Sequence, residues 1–88
     1  MPTYQRLPRF VRDYQQLTGD QRAAFRRSVA QFVEDLKARR FRKGLRVKGV
    51  EGAPGVFELT WAADGRATFS FGEEVNAGQA HVIWRRVR

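Results

Sequence analysis

The residues most able to do chemistry in this sequence are cationic. Arg39-Arg40-Phe41-Arg42-Lys43-Gly44-Leu45-Arg46-Val47-Lys48 sets six basic side chains in ten positions with no acid among them. Such a run attracts phosphates from a distance and then contacts them directly, with a steep dependence on salt. The same residues would also suit a solvated helix end followed by an edge strand guarded by charge. Arg66, directly after Asp64-Gly65, offers a planar and permanently charged fork. That fork matches phosphate and could stabilise the charge that builds up as a phosphodiester is cleaved; it could equally pair with Glu58 across a hairpin. His81 is the one side chain with an ordinary pKa near neutrality, a candidate general acid or base, yet no carboxylate adjoins it in sequence, and a surface histidine suits the same position. Trp61 and Trp84 could stack on bases, although aromatic residues on the strands of a small sheet more often fill its core. Arg85 and Arg86 form a second basic pair.

Other chemistries are set aside by composition. Without cysteine, and with a single histidine, the chain has no thiol nucleophile, disulfide framework or metal cluster. It has no Gly-rich phosphate loop, HExxH or EF-hand pattern, and Ser28 and Ser70 lack a nucleophile context. No metal and no cofactor is expected, so catalysis would rest on Arg, Lys, His and Glu. The absence of cysteine, of an apolar leader and of any run of about 18 apolar residues leads to the expectation of a cytoplasmic protein outside the membrane. Seventeen Lys and Arg against nine acids give a net charge of +8, more than solubility needs. A polyanionic partner follows: nucleic acid first, an acidic protein second, an anionic membrane surface third.

Positioning these groups falls to a few local patterns. Leu7, Phe10, Val11, Tyr14 and Leu17 recur at helical spacing, with Pro8 in the first turn. Thr18-Gly19-Asp20-Gln21 reads as a capping box that starts a second helix from about Asp20 to Arg39, with the stripe Phe25, Val29, Phe32, Val33 and Leu36. Gly44 ends the helical pattern. Leu45-Arg46-Val47-Lys48 then alternates as a strand, sending Arg46 and Lys48 away from the core. Glu51 to Gly55 is turn chemistry, Phe57, Leu59 and Trp61 alternate in a second strand, and Asp64-Gly65 tolerates the positive φ of a tight hairpin. Strands from Arg66 to Phe71 and from His81 to Val87 flank a loop from Gly72 to Gln79. Strict alternation in the last strand splits Arg85 and Arg86 between its faces. The expected fold is one α+β domain over residues 1–88: an N-terminal antiparallel helical hairpin packed on a three- to four-stranded antiparallel sheet, with Thr3 to Gln5 available as an extra edge strand.

The order of these pieces, and the wording of Phe41 to Lys48, Gly55 to Trp61, Asp64 to Phe69 and His81 to Arg86, resembles the RelE/ParE family of type II toxins over roughly residues 7–87. The resemblance implies a toxin that binds at the ribosomal A site, cleaves mRNA without metal, and is held inactive by a cognate small antitoxin. It implies catalytic roles for Arg66 and Arg85, and RNA contacts from Arg42, Lys43, Arg46, Lys48 and Arg86. Cleavage through a 2′-hydroxyl needs proton transfer and stabilisation of a charged phosphorane, which basic residues can supply. The sequence departs from the family pattern in two places. Glu58 and Thr60 stand on the central strand where ribonuclease members often carry basic residues, and the chain stops at Arg88 where members usually continue into a tail bearing a His or Tyr acid or base. The expectation is therefore a chain that docks and cuts weakly or not at all. Two other readings stay open: a ParE-like, non-catalytic inhibitor of DNA gyrase, and a plain RNA-binding module.

Overall fold

The first element of the chain is a strand. In the computed structural model, which describes residues 1–88, β1 (Thr3–Arg6) precedes α1 (Pro8–Gln16), α2 (Gly19–Ala38) and a 3₁₀ turn (Lys43–Leu45). β2 (Lys48–Gly49), β3 (Val56–Ala62), β4 (Gly65–Phe71) and β5 (His81–Val87) complete the order. The sheet has five strands in the order β1-β5-β4-β3-β2, with β1 parallel to β5 and the other neighbours antiparallel. The α+β class and the N-terminal edge strand are as expected. The sheet is mixed and five-stranded, however, where three or four antiparallel strands were expected. A parallel pair needs a long crossover, here both helices and the meander, so no local pattern reveals it.

Pro8 sits in the first turn of α1, where its missing N–H costs nothing. The Thr18–Gln21 capping box forms: the Gln21 amide donates to Thr18 Oγ1 (3.1 Å) and the Thr18 amide to Gln21 Oε1 (2.8 Å). Such a cap contributes about 1 kcal/mol. Phe10 and Tyr14 of α1 meet Phe25 of α2, with ring centroids 5.8 and 6.1 Å apart. Phe32 lies against Phe69 (4.8 Å) and Trp84 (5.4 Å) at the centre of the core. Trp61 and Trp84 are both buried there, so neither presents a face for stacking on a base.

α2 ends at Ala38, within one residue of the expected Arg39, with Arg39 in the left-handed region (φ 56°) and the Arg40 amide bonded to the Asp35 carbonyl (3.0 Å). Two expected details change. Leu45 is buried from the 3₁₀ turn and Arg46 is left-handed (φ 49°), so residues 45–48 do not alternate as a strand and β2 shrinks to Lys48–Gly49. Gly65 has no positive φ; a Cβ there would lie 2.5 Å from Cε2 of the Trp61 indole, which presses on the hairpin. Steric access, and not a left-handed turn, requires this glycine.

Candidate nucleic-acid interface

Strand register decides which side chains leave the sheet on the face away from the helices. Lys48 pairs with Glu58, Glu58 with Thr68 and Thr68 with Arg86, which makes one row across that face. Thr60 pairs with Arg66, and Arg66 exchanges both backbone hydrogen bonds with Arg88 (2.7 and 2.8 Å), which makes the next. A bulge in β5 enlarges the set. Thr68 faces Arg86 and Phe69 faces Trp84, leaving Arg85 unpaired, while Trp84 and Val87 are both buried. Two residues separate these inward side chains where strict alternation allows one, so Arg85 and Arg86 both leave away from the core. The expected division of this pair between two faces does not occur.

Arg46 reaches the same end of the sheet by another route. β2 begins only at Lys48, and beside the uncovered end of β3 the chain leaves a cleft of about 380 Å³. Arg46 and Arg66 both line it, together with Thr60 and, from α2, Ser28 and Gln31; no acid does. A non-glycine residue in the left-handed region costs about 1 kcal/mol or more, and Arg46 accepts that cost where its side chain borders the cleft. Arg66 Nη1 donates to the carbonyls of Gly65 (2.9 Å) and Ala62 (3.2 Å), which fixes the guanidinium over the hairpin turn. Its Nε lies 4.0 Å from Glu58 Oε1, and Lys48 Nζ lies equally far from the same oxygen. Glu58 thus sits loosely between two cations, and pairing of Arg66 with Glu58 coexists with its place in the cleft.

Other basic residues are committed elsewhere. Arg42 grips Asp35 through Nε (3.0 Å) and Nη2 (2.9 Å), its amide donates to the same carboxylate (2.9 Å), and Glu34 lies 3.2 Å away. This clasp folds the segment after α2 back on the helix; it holds the Asp35 carboxyl below its ordinary range and raises the Arg42 guanidinium. Arg86 Nε donates to Asp13 Oδ2 (2.6 Å), which also accepts the Val87 amide (3.2 Å). Asp13, on α1, thereby covers the edge of β5 beyond the end of β1, and Arg86 lowers its carboxyl pKa most, with the Val87 amide adding to the effect. Lys43 is exposed in the 3₁₀ turn next to Gly44, which lines the cleft, and Arg85 is exposed at the bulge. The structure therefore brings Arg46 and Arg66 together, with Lys48, Arg85 and Arg86 on the adjoining face, and turns Arg42 toward Asp35.

His81 is neither free nor at the surface. It is buried, with Nδ1 2.7 Å from Thr3 Oγ1 and Nε2 2.9 Å from Gln5 Oε1, and so pegs β1 to β5. Sequence reasoning missed Arg88, Ser28 and Gln31. Arg88 could have been found only from its pairing with Arg66, and the two helix residues only from the tertiary position of α2. No group of three metal-ligating side chains occurs, and no helix is long and apolar enough to cross a membrane.

No family model and no curated protein matches the sequence. The structure does match solved ones. It is similar to a chain of the RelB–RelE antitoxin–toxin complex from Methanococcus jannaschii, with a TM-score of 0.60 and 18% identity over 94% of this chain and 86% of that one. It is also similar to a chain of the intact E. coli RelBE toxin–antitoxin complex, with a TM-score of 0.64 and 15% identity over 99% of this chain and 94% of that one. The fold is RelE-like.

Proposed function

We propose that this protein is the toxin of a toxin–antitoxin pair and docks on mRNA at the ribosome through the Arg46–Arg66 cleft and the adjoining sheet face. The observation that carries this reading is the convergence of Arg46 and Arg66, from segments far apart in sequence, on a cleft that no acid lines. Two arginines and the Thr60 and Ser28 hydroxyls make a surface suited to a phosphate chain. Four of the seventeen cations lie within 4.0 Å of a carboxylate, which leaves most of the positive charge unneutralised. Likeness to chains of two antitoxin–toxin complexes supports the antitoxin half of the proposal.

Within that role Arg66 and Arg85 stabilise charge on the scissile phosphate, while Lys43, Arg46 and Lys48 hold the RNA and Arg86 keeps its clasp on Asp13. Cutting is weak. Of the two groups of the sheet face able to move a proton, His81 is hydrogen-bonded between Thr3 and Gln5, and Glu58 stands between two cations, Lys48 and Arg66, 4.0 Å from each. The test is to add the protein to translating ribosomes and measure association and A-site cleavage. Association should fall steeply between low and moderate salt and weaken in Arg46→Ala and Arg66→Ala. Association indifferent to salt and to both substitutions would sink the reading; efficient A-site cutting would sink its weak-cutting clause. The engagement of His81 favours a second reading, a non-catalytic inhibitor of DNA gyrase, which gyrase-dependent DNA breaks without RNA cuts would support.

A further inference from the structure

One wall of the acid-free cleft is helical and uncharged. Ser28 and Gln31 enter the cleft from α2, and a spacing of three puts them a turn apart on one face of the helix. Gln31 is exposed, and its side chain takes part in none of the hydrogen bonds within the chain. The following turn carries Glu34 and Asp35, two carboxylates against the one guanidinium of Arg42. The cations of the cleft come from elsewhere, Arg46 from the segment after α2 and Arg66 from the β3–β4 hairpin. Small-molecule sites run from about 300 to 1,000 Å³, so a cleft of about 380 Å³ encloses one nucleotide of a strand and leaves its neighbours on the sheet face.

We propose that Gln31 reads the base of the nucleotide held in this cleft and selects adenine. Charge sets the orientation. Phosphates are drawn to Arg46 and Arg66 and repelled by the net negative turn at Glu34 and Asp35, which leaves the uncharged base to the α2 wall. A primary amide presents an N–H donor and a carbonyl acceptor side by side. Phosphate offers acceptors alone and would leave the amide oxygen without a partner. Adenine offers an amine donor beside a ring-nitrogen acceptor, the two-bond match by which glutamine selects that base. Ser28 adds a hydroxyl that donates or accepts, so it supports a base without choosing one. Trp61 is the only aromatic residue of the cleft wall and is buried. No open ring is left there for stacking, and the choice of base falls to hydrogen bonding. The inference rests on the proposed function in one respect: the nucleotide belongs to mRNA in the ribosomal A site.

The experiment measures association of the full chain with ribosomes whose vacant A site carries AAA, CCC, GGG or UUU, for the parent, Gln31→Ala and Gln31→Glu. The parent should bind AAA about fivefold or more tightly than the other codons. Gln31→Ala should bring the four codons together and leave the salt slope as it was, because no charge is lost. Gln31→Glu weakens binding on every codon by adding a negative charge. Its carboxylate only accepts, which suits the cytosine amine, so the preference should move from AAA to CCC. Codon effects of the ribosome itself cancel in the ratio of variant to parent. Ala and Glu are good helix formers at this exposed position, and melting curves equal to the parent's separate these effects from unfolding. Parent association equal on all four codons, or strongest on a codon other than AAA, overturns the inference and leaves ribosome docking standing. A preference for AAA that survives both substitutions does the same. Association on no codon overturns both.

Discussion

Arg42 and Arg46 stand four positions apart in one basic run and do opposite things. Arg42 is closed onto Asp35 and Glu34, as Arg86 is onto Asp13, and each clasp fastens one element to another: the segment after α2 to the helix, and β5 to α1. Arg46 has no carboxylate within 4.0 Å and borders an acid-free cleft with Arg66. The difference lies in what the fold places opposite each guanidinium. A basic run read as one patch mixes structural arginines with binding ones, and only the acids brought near in three dimensions sort them.

The largest effect should come from the support under the open region. In Gly65→Ala the new Cβ would meet the Trp61 ring at 2.5 Å, and overpacking of this kind costs about 1–3 kcal/mol. The hairpin must shift, and Arg66 with it, so chemical denaturation should show lower stability and the ribosome assay weaker association. Retained association would mean that Arg66 does not need its observed place. A crossed pair of substitutions comes next. Asp35→Asn should lower the melting temperature and leave the salt dependence of RNA binding as it was. Arg46→Ala should leave stability nearly unchanged and reduce the log–log salt slope by about 1, the loss of one phosphate contact. If Asp35→Asn altered the slope, or Arg46→Ala melted early, the division between clasp and cleft would be wrong.

The clasps also set a pH signature. Asp13 and Asp35 both have carboxyl pKa values held below the unfolded value of 3.8, so their contribution to stability is fully present above that value and is lost as pH falls through the folded pKa values. Melting temperature should drop below about pH 4, and the Asp35→Asn variant should show a shallower drop over the same range. An unchanged slope would remove Asp35 from the account.

Much of this fold was legible in the sequence because it is locally encoded. The Thr18–Gln21 cap, the stripe holding Phe25 and Phe32, and the alternation of Phe57, Leu59 and Trp61 each follow from neighbours within a few residues. The parallel pairing of β1 with β5 depends on segments at opposite ends of the chain, and the β5 bulge on the need to bury both Trp84 and Val87. No propensity marks either. The site was partly legible for the same reason: Arg46 and Arg66 were singled out for their chemistry, whereas the locking of Arg42, Arg86 and His81 is set by Asp35, Asp13, Thr3 and Gln5, whose positions only the tertiary structure supplies. Asp35 did carry a faint signal, as a charge beside Phe32 and Leu36 on the apolar side of α2.

The smallest expected effect is the most discriminating. Arg39 and Arg46 are the two non-glycine residues with positive φ. Glycine at such a position relieves the clash of Cβ with the backbone, and against its greater freedom in the unfolded chain the net gain is about 0.5–1 kcal/mol. Arg39→Gly and Arg46→Gly should therefore stabilise the protein alike in urea denaturation. They should part in the binding assay, where Arg39→Gly keeps the salt slope and Arg46→Gly lowers it as Arg46→Ala does. A residue that costs stability and supports binding is what a placed functional side chain looks like. If the two glycine variants behaved identically in both measurements, the left-handed backbone at Arg46 would be only the end of a turn, and its place at the cleft would carry no functional meaning.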